Sequence, residues 1–403
     1  MILKSVIEDV YLSQKEFFEK KEFGLERESL NEIRLDTDFV TIITGIRRSG
    51  KSTLLKQLIK KRINNACFLN FEDPRLVSFE FNDFEKLHNV FMQEGEDSYY
   101  VFDEIQNIPG WEIFIRAQHD QGRKILISGS NASLLSKELG TRLTGRHLDY
   151  ELFPFSFNEY LRFFDLEESG LSFEKYINDG GFPEFLKYKD QEILYRLSDD
   201  ILYRDIAVRH GIKHYKLLKQ ILLYLITNSG KLFSYNKLKK LFSLGSSNTI
   251  IDYISFFEDS YLLFVIPKFS YSLKKQIYNP HKIYTIDSGL ANALSLSFSE
   301  DIGRKFENLI FIHLRKKYKN IFYFSERNEC DFLIYEKGKV TKAIQVCYKL
   351  TPDNIKRELD GLWEAMKETN LSEGIIVTFD QEDYFVKDKM HAIVVPAWKF
   401  ILE

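Results

Sequence analysis

Residues 39–44 read FVTIIT and residues 45–52 read GIRRSGKS. The first six form a short β-branched apolar run, the composition of a strand buried on both faces of a parallel sheet. The run stops at Gly45, and the next eight residues match G-x-x-x-x-G-K-[ST], the Walker A spacing. Two glycines at that spacing, Gly45 and Gly50, let the backbone curl so that successive N–H groups point inward at an anion. A helix-forming stretch, 52–63, follows at once and adds the partial positive charge of its N-terminus. In such a loop Lys51 reaches the β- and γ-phosphates of ATP and the Ser52 hydroxyl ligates Mg²⁺. Arg48, Ser49 and Thr53 complete the loop residues expected around the nucleotide. The plainer reading is a glycine-rich turn with a solvated lysine.

Working outward, further strand-like runs fall at 66–71, 99–102, 124–128 and 147–152, separated by helical or loop segments. Strands alternating with helices predict a mostly parallel sheet with helices on both faces. The run at 99–104, YYVFDE, is an apolar strand ending in two acids and is expected beside the loop strand. Asp103 fits the metal-organising role and Glu104, one residue on, is placed to polarise an attacking water. Alone, two acids capping a strand would explain it as well. The strand at 124–128 ends in Ser128-Gly129-Ser130, where Ser128 or Ser130 would touch the γ-phosphate or its water, unless the segment is a plain turn. Arg142 and Arg146 follow, and either would stabilise charge on the transferred phosphoryl, in cis or in a neighbouring subunit.

The remaining sequence changes character. The net charge over 403 residues is only −3, yet positions 211–282 hold eleven lysines against three acids, so the rest of the chain carries −11. Such asymmetry points to a polyanion-binding module. The order there is an apolar helix (217–228), helices at 234–242 and 246–259, and strand-like runs at 262–267 and 283–286, as in a winged helix-turn-helix. Lys237, Lys239 and Lys240 lie on the first helix of the pair. Ser246, Ser247, Asn248 and Thr249 open the second, short polar groups suited to phosphates or base edges. A hairpin around 269–277 with Lys268, Lys274 and Lys275 is the expected wing. The alternative is a winged helix used for protein contacts or as a lid.

Hydrophobic residues at 44% and charged residues at 29% exclude a disordered chain. No apolar run reaches 18 residues, which argues against a spanning helix, and no membrane partner is expected. Residues 1–10 carry Lys4, Glu8 and Asp9 with no apolar core, which argues against a secretory signal. Cys67, Cys330 and Cys347 have neither metal-ligand nor disulfide spacing. A cytoplasmic compartment is expected.

The segments GIRRSGKST, FLNFEDPRL, VFDEIQNIPGW, ILISGSNASLLS, TGRHLDYELFPFSFNEYL, GGFPE and LYRDI resemble those of archaeal and bacterial AAA-type ATPases that carry a C-terminal domain of unknown function. The resemblance runs from residue 39 to the C-terminus. It implies ATP binding and hydrolysis at Lys51, Ser52, Asp103 and Glu104, with an ATPase, a winged helix and a nuclease-like fold in that order. The last third resembles the restriction-endonuclease-like fold. Glu307, Asp331 and Gln345 lie where such nucleases place metal-binding acids. A working site needs D…[DE]-x-K. Here the second acid is Gln345 and the lysine position is Cys347, with Lys349 two residues further and expected on the same strand face. A neutral amide is a poor Mg²⁺ ligand beside a carboxylate.

The expected fold class is therefore α/β: a P-loop NTPase parallel sheet with helices on both faces, then a winged helix and an α/β nuclease-like domain. The divisions expected are a helical lead-in at 1–38, the P-loop ATPase domain at 39–156, a helical connector at 157–216, the winged helix at 217–290 and the nuclease-like domain at 291–403. The function expected is ATP binding and Mg²⁺-dependent hydrolysis coupled to DNA or to a protein partner, with oligomerisation open. A nucleotide-gated DNA-binding switch with little turnover, or a Mg²⁺-dependent nuclease, are the alternatives.

Overall fold

Strand residues in the first half of the chain sort themselves by parity. Val40 and Ile42, Cys67 and Leu69, Tyr100 and Phe102, Ile125 and Ile127 share one apolar cluster, whereas Ile43, Phe68, Val101 and Leu126 belong to a second. Alternate side chains of a strand face opposite sides, so both faces of this sheet are dry and both need a covering layer. The structure, a computed structural model, describes residues 1–20, 23–130, 145–295 and 301–402. It divides into two units, Met1–Phe153 and Pro154–Glu403.

In the first unit, α1 (Lys4–Lys20) precedes β1 (Val40–Thr44), α2 (Lys51–Arg62), β2 (Ala66–Asn70), α3 (Phe84–Phe91), β3 (Tyr99–Asp103), α4 (Trp111–Asp120), β4 (Ile125–Gly129) and β5 (His147–Glu151). The strands form one parallel sheet in the order β2-β3-β4-β1-β5. Helices α1, α3 and α4 cover one face through Ile7, Val10, Leu87, Val90 and Ile115, and α2 covers the other through Leu54, Leu55 and Leu58. Each such fully buried aliphatic side chain stabilises by about 1.5–3 kcal/mol relative to exposure. The stretch read as a lead-in thus contributes a helix to the same core, with Tyr11 packed on Phe91 at 5.3 Å between ring centroids.

One expectation is corrected here. The acid-bearing strand β3 is not the neighbour of β1, because β4 lies between them. Asp103 pairs in register with Ser128 of β4, and Ser128 in turn with Ile43 of β1.

The second unit begins with α5 (Phe157–Phe164), α6 (Gly170–Asp179), α7 (Pro183–Tyr188) and α8 (Glu192–Asp200), which runs on as a wider π-helical segment, Ile201–Val208. Next come α9 (Tyr215–Thr227), β6 (Leu232–Phe233), α10 (Tyr235–Leu241), α11 (Ser247–Asp259), β7 (Leu263–Pro267), α12 (Leu273–Tyr278), β8 (His281–Thr285) and α13 (Ser288–Leu294). Ser234 and Ser246 cap α10 and α11 by accepting from backbone N–H groups of Lys237 and Asn248. Strands β6, β8 and β7 form a small antiparallel sheet. The hairpin expected around 269–277 has as its arms β7 and β8, which pair antiparallel, and the stretch joining them holds α12 in place of a plain turn. The Phe269 N–H donates to the Tyr323 carbonyl at 2.7 Å and its ring is buried.

The chain ends with α14 (Ile302–Lys317), β9 (Ile321–Ser325), β10 (Glu329–Glu336), β11 (Lys339–Val346), α15 (Ile355–Thr369), β12 (Glu373–Thr378), β13 (Asp383–Lys387), β14 (Met390–Pro396) and α16 (Ala397–Leu402). Its six strands make a mixed sheet in the order β13-β14-β12-β11-β10-β9. Strand β11 stops at Val346, so Lys349 is not on a strand and does not share the face of Gln345. Among the described residues no helix is long and apolar enough to cross a membrane.

Candidate functional site

The loop 45–52 leaves the C-terminal end of β1 and turns into α2. Three of its residues have positive φ: Gly45 at 147°, Arg48 at 62° and Gly50 at 99°. A Cβ on Gly45 would stand 2.1 Å from the Leu152 carbonyl oxygen, so no larger residue fits the turn. Arg48 is exposed, Ser49 is buried, and Ser52 and Thr53 are half-buried on the first turn of α2. The Ser49 hydroxyl has no hydrogen-bond partner among the described residues.

Lys51 is only 5% exposed, and its Nζ donates to the carbonyls of Gly45 and Ile46 at 3.0 and 3.1 Å. It also lies 3.8 Å from Glu104 Oε1. The ammonium is thus folded over its own loop with a carboxylate beside it. Glu104 follows directly on β3 in the left-handed region, φ 53°, unusual for a non-glycine residue. That backbone turns its side chain toward the loop, where its Oε2 accepts from Ser130 Oγ at 3.2 Å and from Gln106 Nε2.

Asp103, fully buried, accepts from the Ser128 hydroxyl through Oδ1, while Oδ2 has no partner among the described residues. Burial and the neighbouring Glu104 raise its pKa above the usual carboxylate range, against the pull of the Ser128 and Ser52 hydroxyls and the Lys51 charge. A buried carboxylate with a free oxygen and a disfavoured charge is a cation-seeking group. Beside it, a cleft of about 410 Å³ is lined by Ser52, Asp103, Lys56, Asn70, Asp73 and Phe18, among others. Ser52 and Asp103 therefore fit a divalent ion and the loop fits a phosphate chain.

The structure brings Gly45, Ser49, Gly50, Lys51, Ser52, Asp103, Glu104, Ser128 and Ser130 to one end of the sheet. It does not bring Arg146 there. Its carbonyl accepts from the N–H of Val40, the first residue of β1, so Arg146 sits at the opposite end of the strands, and its Nη1 pairs with Asp120 at 3.1 Å. In this structure Arg146 does not reach the loop of its own chain. Arg142 lies outside the described residues.

Arg27 was not singled out from the sequence. It is 4% exposed, and its guanidinium donates to the Ser49 carbonyl at 2.6 Å and the Phe153 carbonyl at 2.8 Å. It clamps the loop from outside.

The other candidate cluster is in the second unit. Glu307 of α14 and Asp331 of β10 converge, and Gln345 of β11 adjoins them, its Oε1 accepting from the Asp331 N–H at 3.2 Å. Gln345 Nε2 donates to Glu358 at 2.6 Å. Lys282 of β8, counted from sequence with the DNA-facing lysines, is instead 2% exposed among these acids. Its Nζ lies 2.6 Å from Glu329, 2.9 Å from Asp331 and 3.2 Å from Glu307. The local signal is partial: a lysine two positions before Tyr284 in the run HKIYT shares its strand face, but its acidic partner Asp331 lies 49 residues away.

A family model described as an AAA domain matches residues 37–161. Two described as domains of unknown function, DUF8612 and DUF4143, match residues 170–301 and 302–400. The chain is 36% identical to an uncharacterized protein of Methanocaldococcus jannaschii, over 99% of this chain and 97% of that one. The chain belongs to this family of AAA-domain proteins. A second relative of the AAA-domain protein, an uncharacterized protein of Haemophilus influenzae, is 31% identical over 81% of this chain and 86% of its own. Among solved structures, the Thermotoga maritima RuvB Holliday junction branch migration motor is similar at 16% identity, over 64% of this chain and 93% of that one, with a TM-score of 0.30. AMPPCP-bound DnaA from Aquifex aeolicus is similar at 15% identity, over 62% of this chain and 88% of that one, with a TM-score of 0.28. Scores that low carry no argument about mechanism.

Proposed function

We propose that this AAA-domain protein binds ATP·Mg²⁺ in the loop 45–52 and hydrolyses it. The observation that carries the reading is the convergence of Lys51, the half-satisfied Asp103 and Glu104 at the mouth of that loop. Backbone N–H groups around Gly50 grip the phosphates, and Lys51 exchanges its two loop carbonyls for phosphate oxygens. Ser52 and Asp103 would hold Mg²⁺, which when bound neutralises charge on the β- and γ-phosphates. Glu104 accepts a proton from the attacking water, oriented by Ser130.

The second half supplies the output. Helices α10 and α11 with the sheet β6-β8-β7 support a winged-helix reading, and DNA is the partner we favour for it. Lys219 and Lys268 are tied to Asp199 and Glu326 at 2.6 and 2.9 Å, and Lys282 is buried. The exposed set is Lys213, Lys216, Lys231, Lys237, Lys240, Lys274 and Lys275. Beside the last two, Tyr271, Leu273, Ile277 and Tyr278 are 60–80% exposed. Lysines flanking exposed apolar side chains suit phosphate contact with a wedge at the base stack.

The experiment is steady-state ATP turnover with and without duplex DNA, in wild type, Lys51→Ala and the pair Lys274→Glu/Lys275→Glu. Stimulation that needs both Lys51 and the two wing lysines supports the coupled reading. Turnover indifferent to DNA moves the output to a protein partner, and absence of turnover with tight ATP binding favours the nucleotide-gated switch.

A further inference from the structure

The carboxylates Glu307, Glu329 and Asp331 surround one ammonium, and the dimensions identify what the cage is built for. The three N–O distances, 2.6, 2.9 and 3.2 Å, are those of charge-assisted hydrogen bonds from nitrogen. Mg²⁺ demands near-octahedral oxygens at about 2.0–2.1 Å. Other donors share two of these carboxylates. Asp331 Oδ2 accepts from the Val346 N–H at 3.0 Å, and Glu307 Oε1 also accepts from the Tyr284 hydroxyl at 2.6 Å. The position of the second acid is the amide Gln345, whose two ends are engaged by Asp331 and Glu358. No group of three or more acidic, histidine or cysteine side chains among the described residues is arranged to hold a metal ion.

We infer that Lys282 is the resident cation of this cluster, standing where a nuclease-like fold would hold Mg²⁺, so that the C-terminal domain is a metal-free scaffold and not a hydrolase. The ammonium arrives on β8, outside the mixed sheet, and ties that strand to α14 and β10. Burial pulls its pKa down, but Asp331 with the other acids outweighs burial and holds the pKa well above that of ordinary lysine.

The test counts Mn²⁺ bound per chain, by electron paramagnetic resonance without nucleotide, on the full chain carrying Asp103→Asn so that the loop site lacks the carboxylate proposed to hold its metal. With Lys282 present, no Mn²⁺ is bound at millimolar metal. Adding Lys282→Ala creates one site, and adding Asp331→Asn to that abolishes it. Either a site in the Lys282-bearing chain that Asp331→Asn removes, or a folded Lys282→Ala chain that takes up no Mn²⁺, overturns the inference. Should Lys282→Ala fail to fold, the Lys282-bearing chain decides alone: no Asp331-dependent Mn²⁺, together with plasmid DNA left intact under Mg²⁺, supports it. None of these readouts involves ATP, so they stand or fall apart from the nucleotide reading.

Discussion

The Lys51 ammonium lies 3.8 Å from the Glu104 carboxylate, each residue less than a tenth exposed. In that contact the ammonium and the carboxylate neutralise each other while Lys51 also covers the Gly45 and Ile46 carbonyls. A triphosphate entering the loop competes for the same ammonium. In the proposed mechanism its arrival would free Glu104 to face the water, so that binding and activation of the base would be one event.

Arg27 ties the Ser49 carbonyl of the loop to the Phe153 carbonyl, and hydrogen bonds to charged groups contribute about 1.5–3 kcal/mol each. Arg27→Ala is expected to lower the unfolding free energy of the first unit by about 2–4 kcal/mol and to weaken ATP binding. Arg27→Lys reaches one carbonyl and recovers part of both. Urea titration with and without ATP checks this; unchanged affinity in Arg27→Ala would remove the clamp from the account.

Gly45 has φ 147° and its missing Cβ would meet Leu152 oxygen at 2.1 Å. Gly45→Ala should cost about 2 kcal/mol or more and abolish nucleotide binding, since the loop must shift. Gly245→Ala, where nothing lies within 4 Å and φ is ordinary, is the control expected to be neutral. Paired melting curves compare them.

Lys282→Met takes the buried cation away from buried Asp331, half-buried Glu307 and exposed Glu329. Breaking a buried pair by removing one partner destabilises by about 3–5 kcal/mol. The loss should appear in the transition of the second unit and shrink when Asp331→Asn is added. Equal losses in the single and double variants would mean that the charge plays no part.

Asp287 caps α13, accepting from Leu290 N–H at 2.8 Å and from Gly181 N–H at 2.6 Å, and burial pushes its pKa up to about 6 in spite of those bonds. Unfolded, it titrates near 3.9. Between about pH 4 and 6 the folded chain therefore binds a proton that the unfolded chain does not, so this group's contribution to stability falls as pH rises through that window. Asp287→Asn cannot titrate. Relative to it, wild type should lose about 2–3 kcal/mol between pH 4 and pH 7; parallel pH slopes would contradict the assignment.

Much of the first unit was legible because its information is local. A doubly buried strand must be apolar throughout, a loop needing positive φ must carry glycine at Gly45 and Gly50, and the acids of β3 follow directly on YYVF. Strand order was less so: nothing in the sequence near Asp103 announces that β4 separates it from β1. Arg27 and Lys282 escaped for the same reason. Their partners, Ser49, Phe153 and Asp331, lie 22, 126 and 49 residues away, and no local pattern encodes such pairings. Strand β6, two residues long, carries no periodicity to read.

The central claim is that one loop and two acids at the end of β3 bind and hydrolyse ATP. Its most direct test is to measure, on the same preparations, calorimetric ATP·Mg²⁺ binding and phosphate release for wild type, Lys51→Ala and Glu104→Gln. The account predicts binding and turnover in wild type, loss of both in Lys51→Ala, and retained binding with turnover reduced about 10²–10⁴-fold in Glu104→Gln. Wild-type protein that takes up no ATP·Mg²⁺, or a Glu104→Gln variant that turns over at the wild-type rate, would contradict it.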